Sequence, residues 1–188
     1  MKEKVAKIIR VSTVAPVFSA IILFALLMQK TFSVAELVTA TICLIALPLL
    51  SYLLHAVIPP LKAKGRKCQR NLAIIFSVAG YIVFATLGLA LGFSPEIKVL
   101  AFTYLFSGIL IGVTSLTPLK CSGHACGISG PIVYLCYFVS PYFAFLTLIL
   151  VLVAWSSIAL KRHTAQELIG GIFVPIVAFA IAVLLFAA

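Results

Sequence analysis

An all-α, polytopic membrane bundle of six to seven transmembrane helices is the fold class this sequence predicts, and three observations carry it. Hydrophobic residues make up 64% of the 188 positions and charged residues only 10%, against about 45–50% and about 25% in soluble domains. Mean hydropathy is +1.27. The apolar residues fall in stretches of about 20, the length a helix needs to cross a bilayer. Lipid offers no partner for open backbone groups, so these stretches are expected to be helices. A soluble enzyme, a disordered chain and a disulfide-stapled secreted domain are excluded.

Residues 1–10 are basic and lead into an apolar stretch, as signal peptides do. Hydrophobic segments continue to the end of the chain, so this start reads as a first span or signal anchor. Spans are expected near 13–29, 34–58, 72–93 and 98–117. The stretch 127–160 is too long for one helix, and Ser140-Pro141 divides it into a tight hairpin of two spans, the first of them short. A last span covers about 168–186. Residues 1–188 thus form one integral-membrane domain, without a soluble domain, a low-complexity tract or a strong internal repeat.

Charge sets the sidedness. The chain has 14 Lys+Arg, 4 Glu and no Asp. With the hairpin counted, residues 1–12, 59–71, 118–126 and 161–167 share one face. They hold Lys2, Lys4, Lys7, Arg10, Lys62, Lys64, Arg66, Lys67, Arg70, Lys120, Lys161 and Arg162, which is 12 of the 14. Lys30 and Lys98 remain for the other face, with Glu36 and Glu96. The positive-inside rule puts the basic face in the cytoplasm. Because these basic residues sit between spans, they report topology and an anionic, phosphate-bearing substrate at the bilayer, with no nucleic-acid partner.

Two of the three histidines lie on that face. His124 belongs to Lys120-Cys121-Ser122-Gly123-His124, and His163 to Lys161-Arg162-His163-Thr164-Ala165-Gln166-Glu167. Ionisable groups at span ends are expensive unless they snorkel or are used. Glu167 follows His163 by four residues, on the same helical face. Its carboxylate can accept from one ring nitrogen and leave the other free as a nucleophile. Ser122 and Gly123 suit an anion-binding turn at a helix N-terminus. Two histidines, several cations and this turn suit phosphoryl transfer through a phosphohistidine, without metal or cofactor: His163 attacks, cations and N–H groups hold the phosphate oxygens, and His124 protonates the leaving oxygen.

Ser122-Gly123-His124, followed by Arg162-His163-Thr164 and Glu167, resembles the type-2 phosphatidic acid phosphatase superfamily of integral-membrane lipid phosphatases. The likeness covers roughly residues 60–171. That family carries a Lys…Arg-Pro stretch, a Pro-Ser-Gly-His turn and a Ser-Arg-x5-His-x3-Asp stretch. Cys121 stands in place of the Pro of the turn. In the third motif His163 matches the nucleophile, Glu167 replaces Asp, Ser156 matches the Ser, and Ser157 stands where the phosphate-binding Arg belongs. For the first motif Arg70-Asn71 stands for Arg-Pro, with Lys62, Lys64 or Arg66 as the upstream cation. The resemblance implies a lipid or polyprenyl phosphate (or diphosphate) hydrolase with His163, His124 and Glu167 as catalytic residues. Its phosphate-binding set would be Lys62, Arg66, Arg70, Lys120, Ser122, Gly123 and Arg162.

Other features have plainer readings. Cys43, Cys68, Cys121, Cys126 and Cys136 are odd in number and scattered, so no disulfide is assigned. Cys121, His124 and Cys126 match no zinc spacing. His55, near Pro59-Pro60, reads as a packing residue, and Tyr134, Tyr137 and Tyr142 as interfacial or core residues of the hairpin. Gly108 and Gly112 suggest a close helix contact. Two alternatives to a phosphatase stay open: a catalytically weakened relative that binds lipid or a partner, and a small transporter or cofactor-bearing protein using the two histidines.

Overall fold

The computed structural model describes residues 2–30, 32–118 and 120–187, and among these it contains helices and no strand. The bundle consists of α1 (Lys2–Ser12), α2 (Ala15–Gln29), α3 (Val34–Val57), a short α4 (Pro59–Ala63), α5 (Gly65–Ala90), α6 (Pro95–Ser115), α7 (Gly123–Phe138), α8 (Pro141–Ala159) and α9 (Ala165–Phe186). The chain is a multi-pass membrane protein. Five of the helices are long and apolar enough to cross a bilayer singly, and six spans result if the bent α1–α2 pair is one. The 16-residue α7 is the short segment expected before Ser140.

Local chemistry places most boundaries near where the sequence puts them. Pro16 has no N–H for the preceding turn, so α1 and α2 part at Thr13-Val14 and meet at 46°. Ser33 and Glu36 form a capping box at the start of α3. Ahead of Pro48, α3 widens into a π-helical turn over Ile42–Ala46. Ser140 is extended and accepts from the Tyr142 amide, and Pro141–Leu146 winds as a 3-10 turn into α8. One boundary moves: α5 starts at Gly65 instead of near 72, because the basic stretch up to Asn71 continues the same helix beyond its apolar part. Hydropathy marks the membrane-facing part of a helix, whereas backbone bonding sets its full length.

The bundle is held by shape. Phe18, Ile22, Phe84, Ile97, Leu100, Ile128, Tyr134, Leu135 and Val153 are almost fully enclosed. Leu148, Val151, Leu152, Trp155 and Ile158 of α8 face outward as a lipid-facing row. Lipid is as apolar as these side chains, so association depends on close packing. Accordingly α7 lays Gly127 against Ala15 and Gly130 against Pro175, where an added Cβ would sit 2.8 and 3.2 Å from its neighbour. Of the Gly108–Gly112 pair, Gly108 lies against the Tyr81 ring while Gly112 has nothing within 4 Å, so a single glycine makes the contact. Tyr134 is buried with its hydroxyl donating to the Glu96 carbonyl (3.1 Å), whereas Tyr137 and Tyr142 are exposed.

Polar groups collect at the two ends. At one end Glu36 ties two loops together, accepting from the Ser33 amide (2.8 Å) and hydroxyl (2.8 Å) and from the Ser94 amide (2.6 Å). The other end holds both histidine motifs.

Candidate active site

His163 sits on a five-residue link between α8 and α9. Lys161 closes α8 in the left-handed conformation (φ 52°), and the Arg162 amide donates to the Ser157 carbonyl (2.9 Å). This C-terminal cap reverses the chain sharply. Thr164 then opens α9 with a capping box: its hydroxyl accepts from the Glu167 amide (3.2 Å), and Glu167 Oε2 accepts from the Thr164 amide (3.0 Å). The same Oε2 lies 3.0 Å from His163 Nδ1. A carboxylate only accepts, so Nδ1 carries a proton, and in the neutral imidazole Nε2 is the nitrogen with the lone pair. The orientation expected from the i, i+4 spacing is present, and it is built into the helix cap.

The Ser122-Gly123-His124 turn docks on this cap. The Ser122 amide donates to the Glu167 carbonyl (2.7 Å), and the Ser122 hydroxyl accepts from the Ala125 amide (3.3 Å) as N-cap of α7. Gly170 and Gly171 make the approach possible. A Cβ on Gly171 would collide with the Ser122 carbonyl oxygen, and one on Gly170 would stand 2.6 Å from Cys121 Sγ. The docking engages the Ser122 amide as a donor and the Ser122 hydroxyl as an acceptor within the fold. Gly123 and His124, at the first two helical positions, are the first-turn amides that helix geometry leaves for an anion.

His124 is positioned by α1, which sequence reasoning treated as a topology signal. The Thr13 hydroxyl donates to the Ile9 carbonyl (2.7 Å) and lies 3.0 Å from His124 Nε2. The hydroxyl has one proton, so Nε2–H is the donor to Thr13, and Nδ1 is the nitrogen that gains or loses a proton. Burial, then the Arg10 guanidinium, then His163 push the His124 imidazole down to about 4, so it is neutral near pH 7. Arg10, one turn before Thr13, reaches across to α8, where Nη1 donates to the buried Ser157 hydroxyl (2.9 Å). The signal available in the sequence was slight: an arginine and a threonine three apart at the end of an amphipathic segment.

The remaining predicted residues divide. Arg66, at the start of α5, is near enough to Arg10 for the two cations to repel, and Lys120 is near enough to Glu167 to attract its carboxylate. Arg162 is half-buried beside His163 in the link. Lys62 and Arg70 are exposed, and no hydrogen bond or ion pair joins either to the histidines among the described residues. His55 stands apart, its Nε2 3.1 Å from the Gly65 carbonyl at the corner between α3 and α5. One end of the bundle therefore combines an imidazole oriented by a carboxylate, a second, buried imidazole, two helix-start amides and several cations.

Compared with models of protein families, with curated proteins and with solved structures, the chain matches none.

Proposed function

We propose that the protein is a membrane phosphatase acting on a lipid or polyprenyl phosphate (or diphosphate) through a phosphohistidine. The observation that carries the reading is the Glu167–His163 pair, hydrogen-bonded with Nε2 left as the free lone pair, in electrostatic reach of His124. The resemblance to type-2 phosphatidic acid phosphatases supports it through the same residues. The polar end of an apolar bundle suits a substrate with a phosphate head and a buried tail.

His163 Nε2 attacks phosphorus, the P–O bond to the lipid alkoxide breaks, and the leaving oxygen takes the proton of the His124 imidazolium. Neutral His124 next accepts a proton from water as its oxygen attacks the phosphohistidine. The P–N bond breaks, inorganic phosphate leaves, and His163 is restored. Burial and the nearby cation hold His124 neutral, and the negative phosphate supplies the opposing field that favours its imidazolium. The basic face, and with it the site, is cytoplasmic on this reading.

The test is phosphate release from a panel of phosphatidate, phosphatidylglycerophosphate and polyprenyl phosphates and diphosphates, in excess EDTA, with rapid-quench ³²P labelling. Turnover and an acid-labile phosphoenzyme are expected, both lost in His163→Ala. Lipid binding without phosphate release from any of these favours the weakened, lipid-binding relative. A phosphoenzyme that survives in His163→Ala refutes the nucleophile.

A further inference from the structure

We propose that Arg10, delivered from α1, is the guanidinium that binds the substrate phosphate. The assignment rests on the phosphatase reading above and names a residue that motif spacing does not reach. Arg10 is half-buried between α1 and α8, and its side-chain hydrogen bond among the described residues uses a single Nη1–H on the Ser157 hydroxyl. A guanidinium has five N–H donors in a fixed fork that matches phosphate bidentately. A cation partly removed from water is normally paired. Here the ion pairs among the described residues are Lys7–Glu3 and His163–Glu167, and neither involves Arg10. Its charged neighbour is instead another cation, Arg66.

Position supplies the rest. Thr13, one turn along α1, bonds His124, so Arg10 and Thr13 hold the same helix end against Ser157 on one side and His124 on the other. His124 in turn lies within the electrostatic reach of both Arg10 and His163. An anion entering between the histidines meets a guanidinium that is oriented, partly desolvated and without a counter-charge. Ser157 lies on α8, five residues before Arg162, so the guanidinium that bonds it reaches the His163 link from the other end of the chain. The same cation that binds the phosphate adds to the burial that holds His124 neutral.

Orthovanadate, a phosphate analogue that adopts five-coordinate geometry, is the probe, with its affinity measured by calorimetry on the full chain in detergent. Arg10→Ala is expected to weaken vanadate binding at least about tenfold, the lower range for a hydrogen bond to a charged group. Arg10→Gln keeps a donor for Ser157 and loses the charge; it should weaken binding similarly, and it serves where the Ala variant is poorly folded. Ser157→Ala removes the structural hydrogen bond but keeps the guanidinium, and should change affinity less than about threefold. Arg10→Ala combined with Ser157→Arg returns a guanidinium from α8 and should recover most of the loss. Vanadate affinity unchanged in Arg10→Gln, with turnover still dependent on His163, overturns the assignment alone. Equal losses in Ser157→Ala and Arg10→Ala reduce Arg10 to a packing role and overturn it too. Failure of the wild-type protein to bind vanadate at all removes the phosphatase reading, and the assignment with it.

Discussion

Glu167 has two jobs that substitution can separate. Its Oε2 accepts from His163 Nδ1–H and from the Thr164 amide, each at 3.0 Å, while its own amide closes the capping box on the Thr164 hydroxyl. Glu167→Gln leaves an oxygen that can accept these bonds but removes the charge. A hydrogen bond to a charged group contributes about 1.5–3 kcal/mol and a neutral one about 0.5–1.5. The His163 bond therefore weakens by about 1–1.5 kcal/mol, since both side chains are three-quarters enclosed and solvent screening is modest. On the proposed mechanism the imidazole becomes positive as it attacks, so this loss falls on the transition state and kcat should drop about tenfold. Thr164→Ala removes the cap hydroxyl and leaves the carboxylate on His163. It should lower stability by about 1 kcal/mol and hold kcat per folded molecule within about threefold. The assays are thermal unfolding in detergent and single-turnover phosphate release, normalised to folded protein. Equal kcat losses in the two variants, or full kcat in Glu167→Gln, refute an orienting role for the carboxylate.

Protonation of His124 should follow its surroundings. Its folded-state proton affinity is depressed, to about 4 from an ordinary 6.5, so the stability it contributes is present above about pH 6.5 and is lost as pH falls toward 4. Unfolding temperature should decline over that window, and less steeply in His124→Gln; an identical decline in the variant assigns the effect elsewhere. Vanadate binding should take up a proton near pH 6.5, read as a buffer-dependent calorimetric enthalpy, and no buffer dependence counts against His124 as the acid. Gly171→Ala, which drives a Cβ into the Ser122 carbonyl, should destabilise by about 1–3 kcal/mol and separate the two motifs. Gly112→Ala, with nothing within 4 Å, is its neutral control by thermal unfolding, and parity between the two sinks the docking argument. Single cysteines at Lys2 and Glu96, in a background without native cysteines, report sidedness: an impermeant reagent should label the Glu96 site in intact cells and spare the Lys2 site.

The primary structure alone determined the membrane class, the helical segments and the two histidine motifs. These are properties of short range: a run of about 20 apolar residues needs no partner to prefer lipid, Ser140-Pro141 breaks a helix wherever it occurs, and residues four apart on one helix meet without help from the rest of the fold. The His163–Glu167 pair was legible from that spacing, although it forms across the Thr164 cap, with His163 just outside α9. The Ser122 turn was legible as a helix start, but not as a backbone partner of α9, because its amide finds the Glu167 carbonyl across 45 residues. Arg10 and Thr13 were hidden altogether. Counted along the chain they are one more charge and one more hydroxyl near the N-terminus. Only the 46° bend at Pro16, which lays α1 over α8 and the start of α7, places them on Ser157 and His124. Periodicity and spacing describe each helix by itself. Which cation ends up beside which imidazole is decided by the angle at which one helix crosses another, and that angle is set by packing between residues far apart in the chain.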